Sequence, residues 1–211
     1  QRQMCIRDRN KGIELALGFK QNIGPVDWKT TLLWSLNRNR IDQLLPEYTN
    51  EELGVTVHLD EMDVYSLGGA KQRLTVGGSM GDVYVNTMRT DEHGHIWMNS
   101  MTGTLETDKN NYVYAGNTNP KYTLSWRNEF NWKGISLGFM LNARVGGIGV
   151  SATQAVMDYY GVSKTSAEAR DNGGVKVNGQ MIDAQTWYQT IGANGTGYVG
   201  SMYVYLSLIH I

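Results

Sequence analysis

The chain has 211 residues and a net charge of −1, and its charged share of 18% is below the roughly 25% usual in soluble globular proteins. The near-neutral balance argues against electrostatic binding of nucleic acid. Its 25 glycines, 12 tyrosines and 6 tryptophans favour β structure, and the absence of about 18 consecutive apolar residues excludes a transmembrane helix but not a membrane barrel.

The two ends of the chain, MCIRDR at 4–9 and LSLIHI at 206–211, do not match the sequence beside them. One short DNA sequence read in its two orientations can encode both hexapeptides, and it looks like the transposon end used to prepare sequencing libraries. We therefore interpret residues 1–9 and 206–211 as translated adaptor and exclude them from fold reasoning. The native stretch is then residues 10–205, an internal piece of a longer gene without the cysteine at position 5.

Two segments near the start alternate between apolar and polar residues. The apolar positions recur every second residue across GIELALGFK and, beyond the turn signal Gly24-Pro25, across DWKTTLLWSLNRNR. They are Ile13, Leu15, Leu17, Phe19, Trp28, Leu32, Trp34 and Leu36. A period of two on both sides of a turn predicts an antiparallel hairpin with one apolar face and one polar face.

The middle of the chain is less regular. GVTVHL and RLTVGG predict short strands, and DVYVNTMRTDEHGHIWMNS predicts two arms around a turn at 91–94. His93 and His95 could ligate a metal, and Asp60, Glu61 and Asp63 could form a carboxylate group for acid–base chemistry or calcium. Neither set has the spacing of a known site, so we expect solvated turns and loops there. We predict no catalytic residue, no metal site and no cofactor.

The clearest alternation is KYTLSWRNEFNWKGISLGFMLNARVG, which predicts a second long hairpin around Lys133-Gly134. Each arm has about the length of a tilted membrane strand, whereas ordinary strands average five or six residues. One face carries the apolar residues Trp126, Ile135, Leu137, Phe139 and Leu141. The other carries the polar residues Arg127, Glu129, Asn142 and Arg144.

Two settings produce such strands. In a secreted β-sandwich, with a glycan-binding or adhesin role, the apolar faces meet in a core. In a membrane barrel the apolar side chains face lipid and the polar ones face a wet lumen. The long strands and the aromatic residues near strand ends, such as Trp28, Tyr122 and Trp132, favour the barrel.

The period changes after Ser151. SATQAVMDYYG, SKTSAEARD and DAQTWYQTIG predict three short helices, with Ser163 or Thr165 as the cap of the second and Asp183 as the cap of the third. Residues 151–200 therefore predict a long loop, which in a barrel belongs on the extracellular side. Trp187 and Tyr188 could stack on sugar rings, although packing of a loop helix is the favoured interpretation for both.

The run YVYAGNTNPKYTLSWRNEFNWKGISLGFMLNARVGG, continued by SATQAVMDYYGVSKTSAEARDNGGVKVNG and MYVY, resembles the C-terminal barrel of SusC/RagA-type TonB-dependent transporters. NKGIELALGFK and GSMGDVYV also look like strands of that barrel. The resemblance covers essentially residues 10–205, and its most specific part runs from Gly116 to Gly174.

The resemblance implies an all-β fold: part of a large antiparallel transmembrane barrel of about 22 strands, with short helices in a long extracellular loop. It implies import of large nutrients, oligosaccharides or peptides, across the outer membrane of a Gram-negative bacterium. The implied partners are a SusD-like surface lipoprotein and the TonB complex, which acts through a plug that this sequence does not contain. No residue of this chain can be assigned to energy coupling.

Overall fold

A computed structural model describes residues 6–50, 54–99 and 101–208. Its helical elements are short, so the prediction of an all-β fold with short helices after Ser151 is confirmed. In chain order the elements are β1 Arg7–Ile23, β2 Val26–Gln43, β3 Leu45–Asn50, β4 Val55–Leu59, β5 Glu61–Leu67, β6 Ala70–Thr75, β7 Asp82–Met88, β8 Thr107–Asn117, β9 Tyr122–Trp132, β10 Ile135–Val150, α1 Ala152–Tyr159, α2 Lys164–Asp171, β11 Val175–Val177, β12 Gln180–Ile182, α3 Ala184–Gly192, the 3₁₀ turns Ala193–Gly195 and Gly200–Tyr203, and β13 Val204–Leu208.

The largest sheet has five antiparallel strands in the order β1-β2-β9-β10-β13. Both predicted hairpins are present in it, and each closes through a two-residue turn. Lys133 and Gly134 adopt φ values of 45° and 87°, which the tight turn between twisted strands requires. Both tight turns lie at one end of the sheet, so the long connections 44–121 and 151–203 leave from the other end.

The register of this sheet puts the apolar positions of four strands on one face. Cross-strand rows repeat along it because side chains of a strand alternate between faces. One row consists of Leu17, Leu32, Trp126 and Leu141. A single-residue slip of β9 against β2 would turn its apolar side chains to the polar face, so the alternation itself fixes the register.

The connection 44–121 contains a β3–β4 hairpin and a four-stranded sheet in the order β5-β6-β7-β8. The turn before β7 is bound to the end of β2: Gly77 N–H donates to the Ile41 carbonyl and Ile41 N–H to the Gly78 carbonyl, both at 2.8 Å. GSMGDVYV, residues 78–85, was expected among the barrel strands. The structure places β7 in this separate sheet instead, because its partners β6 and β8 are its near neighbours in sequence.

Three helices form the connection 151–203, as predicted, and each begins at a capping side chain. Ser151, Ser163 and Asp183 accept hydrogen bonds from the backbone N–H groups of Gln154, Ser166 and Thr186, which satisfies donors that a helix start leaves open. A buried cluster joins these helices to the connection 44–121. It comprises Met88, Leu105, Ala155, Val177, Trp187, Ile191, Tyr198, Val199 and Tyr203, and we call it the shared loop core.

Gly69 is the tightest point of contact between the two connections. A Cβ built there would overlap the Tyr198 carbonyl, the Asn86 side chain and the Gly200 nitrogen. We expect Gly69→Ala to lower the free energy of unfolding by about 1–3 kcal/mol, because the backbone must move to make room. Urea titration followed by near-ultraviolet circular dichroism measures the change.

The matched control is Gly18→Ala in β1, where a Cβ meets nothing within 4 Å. We expect this variant to be as stable as the parent chain or slightly more stable, because alanine costs less conformational entropy than glycine in a strand. Equal destabilisation by both substitutions would contradict the close approach at Gly69.

Candidate functional site

The apolar face of the five-stranded sheet is solvent-exposed in this chain. Ile135 and Leu137 are 65% and 63% exposed, and Trp126, Phe139 and Leu141 are between 42% and 45% exposed. All five lie on the same face. Within the described residues no second sheet covers them, whereas a sandwich would bury them in its core. Contiguous exposed apolar surface of this kind marks contact with a membrane or another apolar partner.

Aromatic rings cluster towards the two ends of this face. Near the tight turns, Trp28 stacks on Phe130 with centroids 6.1 Å apart and meets the edge of Phe19 at 5.8 Å. Near the long connections, Trp34 and Tyr122 lie 6.5 Å apart. Six residues separate Trp28 from Trp34 along β2, which at strand rise is about 20 Å. The spacing resembles that of aromatic girdles around an apolar band.

A polar pair interrupts the apolar face between these aromatic groups. Thr30 and Asn128 are cross-strand partners, and Asn128 is only 1% exposed beneath the surrounding rings. Trp28 Nε1–H donates to Asn128 Oδ1 at 3.2 Å, and Trp126 Nε1–H donates to Thr30 Oγ1 at 2.9 Å. The pair therefore supplies hydrogen-bond acceptors to two indole N–H groups on an otherwise apolar face. Asn128 Nδ2 has no hydrogen-bond partner.

Arg127, Glu129, Asn142 and Arg144 all lie on the opposite face of the sheet, as the alternation predicts. Arg127 and Glu129 form an ion pair. Lys29 stands directly opposite Glu129 in β9 and directly opposite Lys20 in β1, so this face carries both basic and acidic side chains. A band of hydroxyl and amide groups continues this surface towards the long connections, where Ser35 and Thr123 hydroxyls are 2.6 Å apart.

A cleft of about 1120 Å³ lies where this polar face meets the connection 44–121. Its walls contain both basic residues and carboxylates and many side-chain amides. The amides belong to Asn10, Asn37, Asn39, Asn117 and Asn119. Two of them hold the walls in place: Asn39 Oδ1 accepts the Met80 N–H at 2.8 Å, and Asn117 Nδ2–H donates to Asp82 Oδ1 at 2.8 Å.

Tyr114 stands at the edge of this cleft on β8. Its hydroxyl is 3.4 Å from Asp82 Oδ1. Burial is the main cause of a raised pKa at Tyr114, and the negative charge of Asp82 adds to it. The hydroxyl therefore stays a neutral donor and acceptor at ordinary pH. The sequence did not predict the cleft, because isolated asparagines have no periodic signal and become neighbours only through the pairing of distant strands.

The carboxylates at 61 and 63 lie in strand β5, which corrects the expectation of a solvated loop there. Asp63 accepts hydrogen bonds from Arg73 Nε at 2.7 Å and Lys71 Nζ at 2.8 Å. The hydrogen bond from Arg73 is the main cause of a lowered pKa at Asp63. Within the described residues, no three His, Cys, Asp or Glu side chains come together as metal ligands would.

His93 and His95 lie in the predicted turn, which the Asp91 carboxylate organises. Asp91 Oδ1 accepts the backbone N–H groups of both histidines at 2.9 Å, and these bonds, that of His95 first, lower the pKa of Asp91. Across this turn the arms are joined by one isolated bridge between Thr90 and Ile96 and by a hydrogen bond from Trp97 N–H to the Arg89 carbonyl; the bridge between Met98 and Leu105 closes a second turn further along the chain. The expected two arms are therefore shorter than the pattern indicated.

The two aromatic candidates of α3 differ in exposure. Trp187 is 8% exposed and belongs to the shared loop core, so its ring packs in that core and offers no open face to a sugar. Tyr188 is partly exposed at the edge of that core. Burial raises the pKa of its hydroxyl.

Among the residues that the structure describes, no helix is long and apolar enough to cross a membrane. No family model matches the chain, and no curated protein matches it. The solved structure of the RagAB peptide transporter is similar to this chain with a TM-score of 0.53 and 14% sequence identity. The similarity covers 86% of this chain and 21% of that chain, so this chain corresponds in fold to about one fifth of the solved protein.

Proposed function

We propose that the chain forms part of the wall and the extracellular loops of a SusC/RagA-type, TonB-dependent importer in the outer membrane of a Gram-negative bacterium. The observation that carries the proposal is the exposed apolar face on long meandering strands, backed by a charged and hydroxylated face. A sheet with lipid on one side and water on the other accounts for both faces. The fold similarity to a peptide transporter supports it.

In this proposal Trp126, Ile135, Leu137, Phe139 and Leu141 face lipid, and Arg127, Glu129, Asn142 and Arg144 face the lumen. The tight turns lie on the periplasmic side and the connections 44–121 and 151–203 lie outside the cell, because outer-membrane barrels have short periplasmic turns and long extracellular loops. The cleft at the end of the polar face then opens at the outer mouth of the lumen.

The chain acts as a transporter part and not as an enzyme, with oligosaccharides or peptides as the imported nutrients. The extracellular connections would contact a SusD-like lipoprotein. The TonB complex would act through a plug encoded elsewhere in the same gene. These partners rest on the sequence resemblance, and no residue described above is assigned to binding them.

The alternative, a secreted sandwich that binds glycans, requires the apolar face to be covered and at least one exposed aromatic platform. The exposure of Leu137 and the burial of Trp187 both weigh against it. A glycan hydrolase would need two carboxylates free to act in one cleft. Of the two that line the cleft, Asp8 lies in the segment interpreted as adaptor, and Asp82 accepts hydrogen bonds from Ser79 N–H and Asn117 Nδ2.

Spin labels on the two faces test the proposal. Leu137→Cys and Asn142→Cys, each in a Cys5→Ser background, are labelled and the protein is reconstituted in lipid vesicles. We expect the label at 137 to be relaxed more strongly by oxygen, which concentrates in hydrocarbon, and the label at 142 by a water-soluble nickel complex. Equal access of nickel to both positions would contradict a lipid-facing apolar face.

The transport function has its own test on the original DNA. We expect the coding sequence upstream of this segment to encode a plug and the downstream gene to encode a SusD-like lipoprotein. Deletion of that gene pair should abolish growth on the imported nutrient, and loss of TonB should do the same. Growth unaffected by both deletions would contradict a TonB-dependent importer.

A further inference from the structure

A second cavity lies among the helices α1, α2 and α3, away from the five-stranded sheet. Its volume is about 250 Å³, slightly below the range of pockets for drug-sized molecules. Two charged residues line it together with Tyr159, Tyr160, Gln185 and Tyr188. Space and lining suit one small polar molecule with some apolar surface.

The negative charge of this cavity belongs to Asp158, which is 4% exposed. Its Oδ1 accepts hydrogen bonds from Gln154 Nε2 at 2.8 Å and Thr165 Oγ1 at 3.2 Å. Both donors are neutral, and the ion pairs of the described residues do not include Asp158. A buried carboxylate without a cation is costly, and the open space beside it is the place where a cation can enter.

The charge of Asp158 affects the pKa of two nearby tyrosines. Burial raises the pKa of Tyr203, and the charge of Asp158 adds to the increase. Burial raises the pKa of Tyr188 and the same charge adds to it there. Tyr188 lines the cavity together with Tyr159 and Tyr160, and the face of a neutral tyrosine ring attracts cationic groups.

The positive charge belongs to Arg170 of α2. Its Nη1–H donates to the Gly161 carbonyl at 2.7 Å, which holds the guanidinium at the end of α1. Within the described part of the chain Arg170 forms no ion pair with a carboxylate, Asp158 included. The cavity thus has two opposite charges on its walls that do not neutralise each other.

We propose that the cavity between α1, α2 and α3 is a binding site for a small zwitterion of the α-amino acid class, whose ammonium group meets Asp158 and whose carboxylate meets Arg170. Gln185 and Gln189 of α3 supply further hydrogen-bonding groups on the cavity wall. A neutral sugar leaves both charges unpaired, and a simple amine or carboxylate leaves one unpaired. The site is separate from the lumen and does not depend on what the barrel imports.

Calorimetric titration of the full chain in detergent micelles tests the proposal, with leucine, glycine, ethylamine, acetate and glucose as probes. We expect one of the two amino acids to bind at least about tenfold more tightly than ethylamine, acetate or glucose, because it pairs both charges. Arg170→Gln should weaken amino acid binding about tenfold and leave ethylamine binding unchanged. Asp158→Asn should weaken both.

Lys164→Gln is the control, since Lys164 belongs to the same helix and pairs with Glu168 outside the cavity. It should leave all affinities unchanged. Arg170 is exposed, so its substitution tests the site even where loss of Asp158 impairs folding. The proposal is overturned when no amino acid binds, when glucose binds as well as leucine, or when Arg170→Gln and Lys164→Gln have the same effect.

Discussion

Leu141→Arg should lower the free energy of unfolding of the proposed barrel in lipid by about 2–4 kcal/mol, because it places an arginine near the middle of the face proposed to contact hydrocarbon. Leu141 shares a cross-strand row with Leu17, Leu32 and Trp126. That row lies between the aromatic groups around Trp28 and Trp34, and with the neighbouring Thr30–Asn128 row it forms the centre of the apolar face.

Two further substitutions test how the cost depends on the position of the arginine in the bilayer. Leu137→Arg, one row from the tight turns and level with Phe130, should cost only about 1 kcal/mol because the charge reaches the interface. Asn142→Arg, on the opposite face next to Leu141, should cost less still. Urea titration of vesicle-inserted protein measures all three. Equal costs at 141 and 142 would show that both faces meet the same solvent.

Trp187→Ala should destabilise the connection 151–203 by about 3–5 kcal/mol, because it removes a large buried ring and leaves a cavity in the shared loop core. Proteolysis of the connection 151–203 under native conditions measures this local stability. We expect the strands of the five-stranded sheet to stay protected, since Trp187 does not contact their apolar face.

Tyr160→Ala is the matched aromatic control. Tyr160 belongs to the same loop and is 63% exposed, so its loss should change protease protection little. Trp187 would be a ligand platform rather than a core residue if its substitution left protection intact and reduced glycan binding.

Local pattern predicted the elements whose cause is local. The alternation of Leu137, Phe139 and Leu141 is a property of the strand alone, and the cap Asp183 acts within one helical turn, so the sequence predicted both. For α2 the sequence left Ser163 and Thr165 open as caps, and the structure has Ser163. The turn at Lys133-Gly134 was also predicted from the sequence, because few residue pairs adopt the positive φ angles that this turn requires.

Long-range pairing was not visible in the same way. β2 pairs with β9 across an insertion of more than 70 residues. The sequence of neither strand indicates which strand it pairs with. The four-stranded sheet was hidden because its strands are short and its β5 edge bulges between Asp63 and Tyr65. The cleft of asparagines exists only once these strand pairings bring its walls together, and the cavity with Asp158 exists only once α1, α2 and α3 pack together.

The shared loop core couples the two long connections 44–121 and 151–203. Met88 from one and Ile191 from the other belong to the same buried cluster, so a displacement of either connection strains the other. The two connections consequently move as one body and not as two independent loops. A force applied at β7 reaches α3 through this cluster and not through the five-stranded sheet.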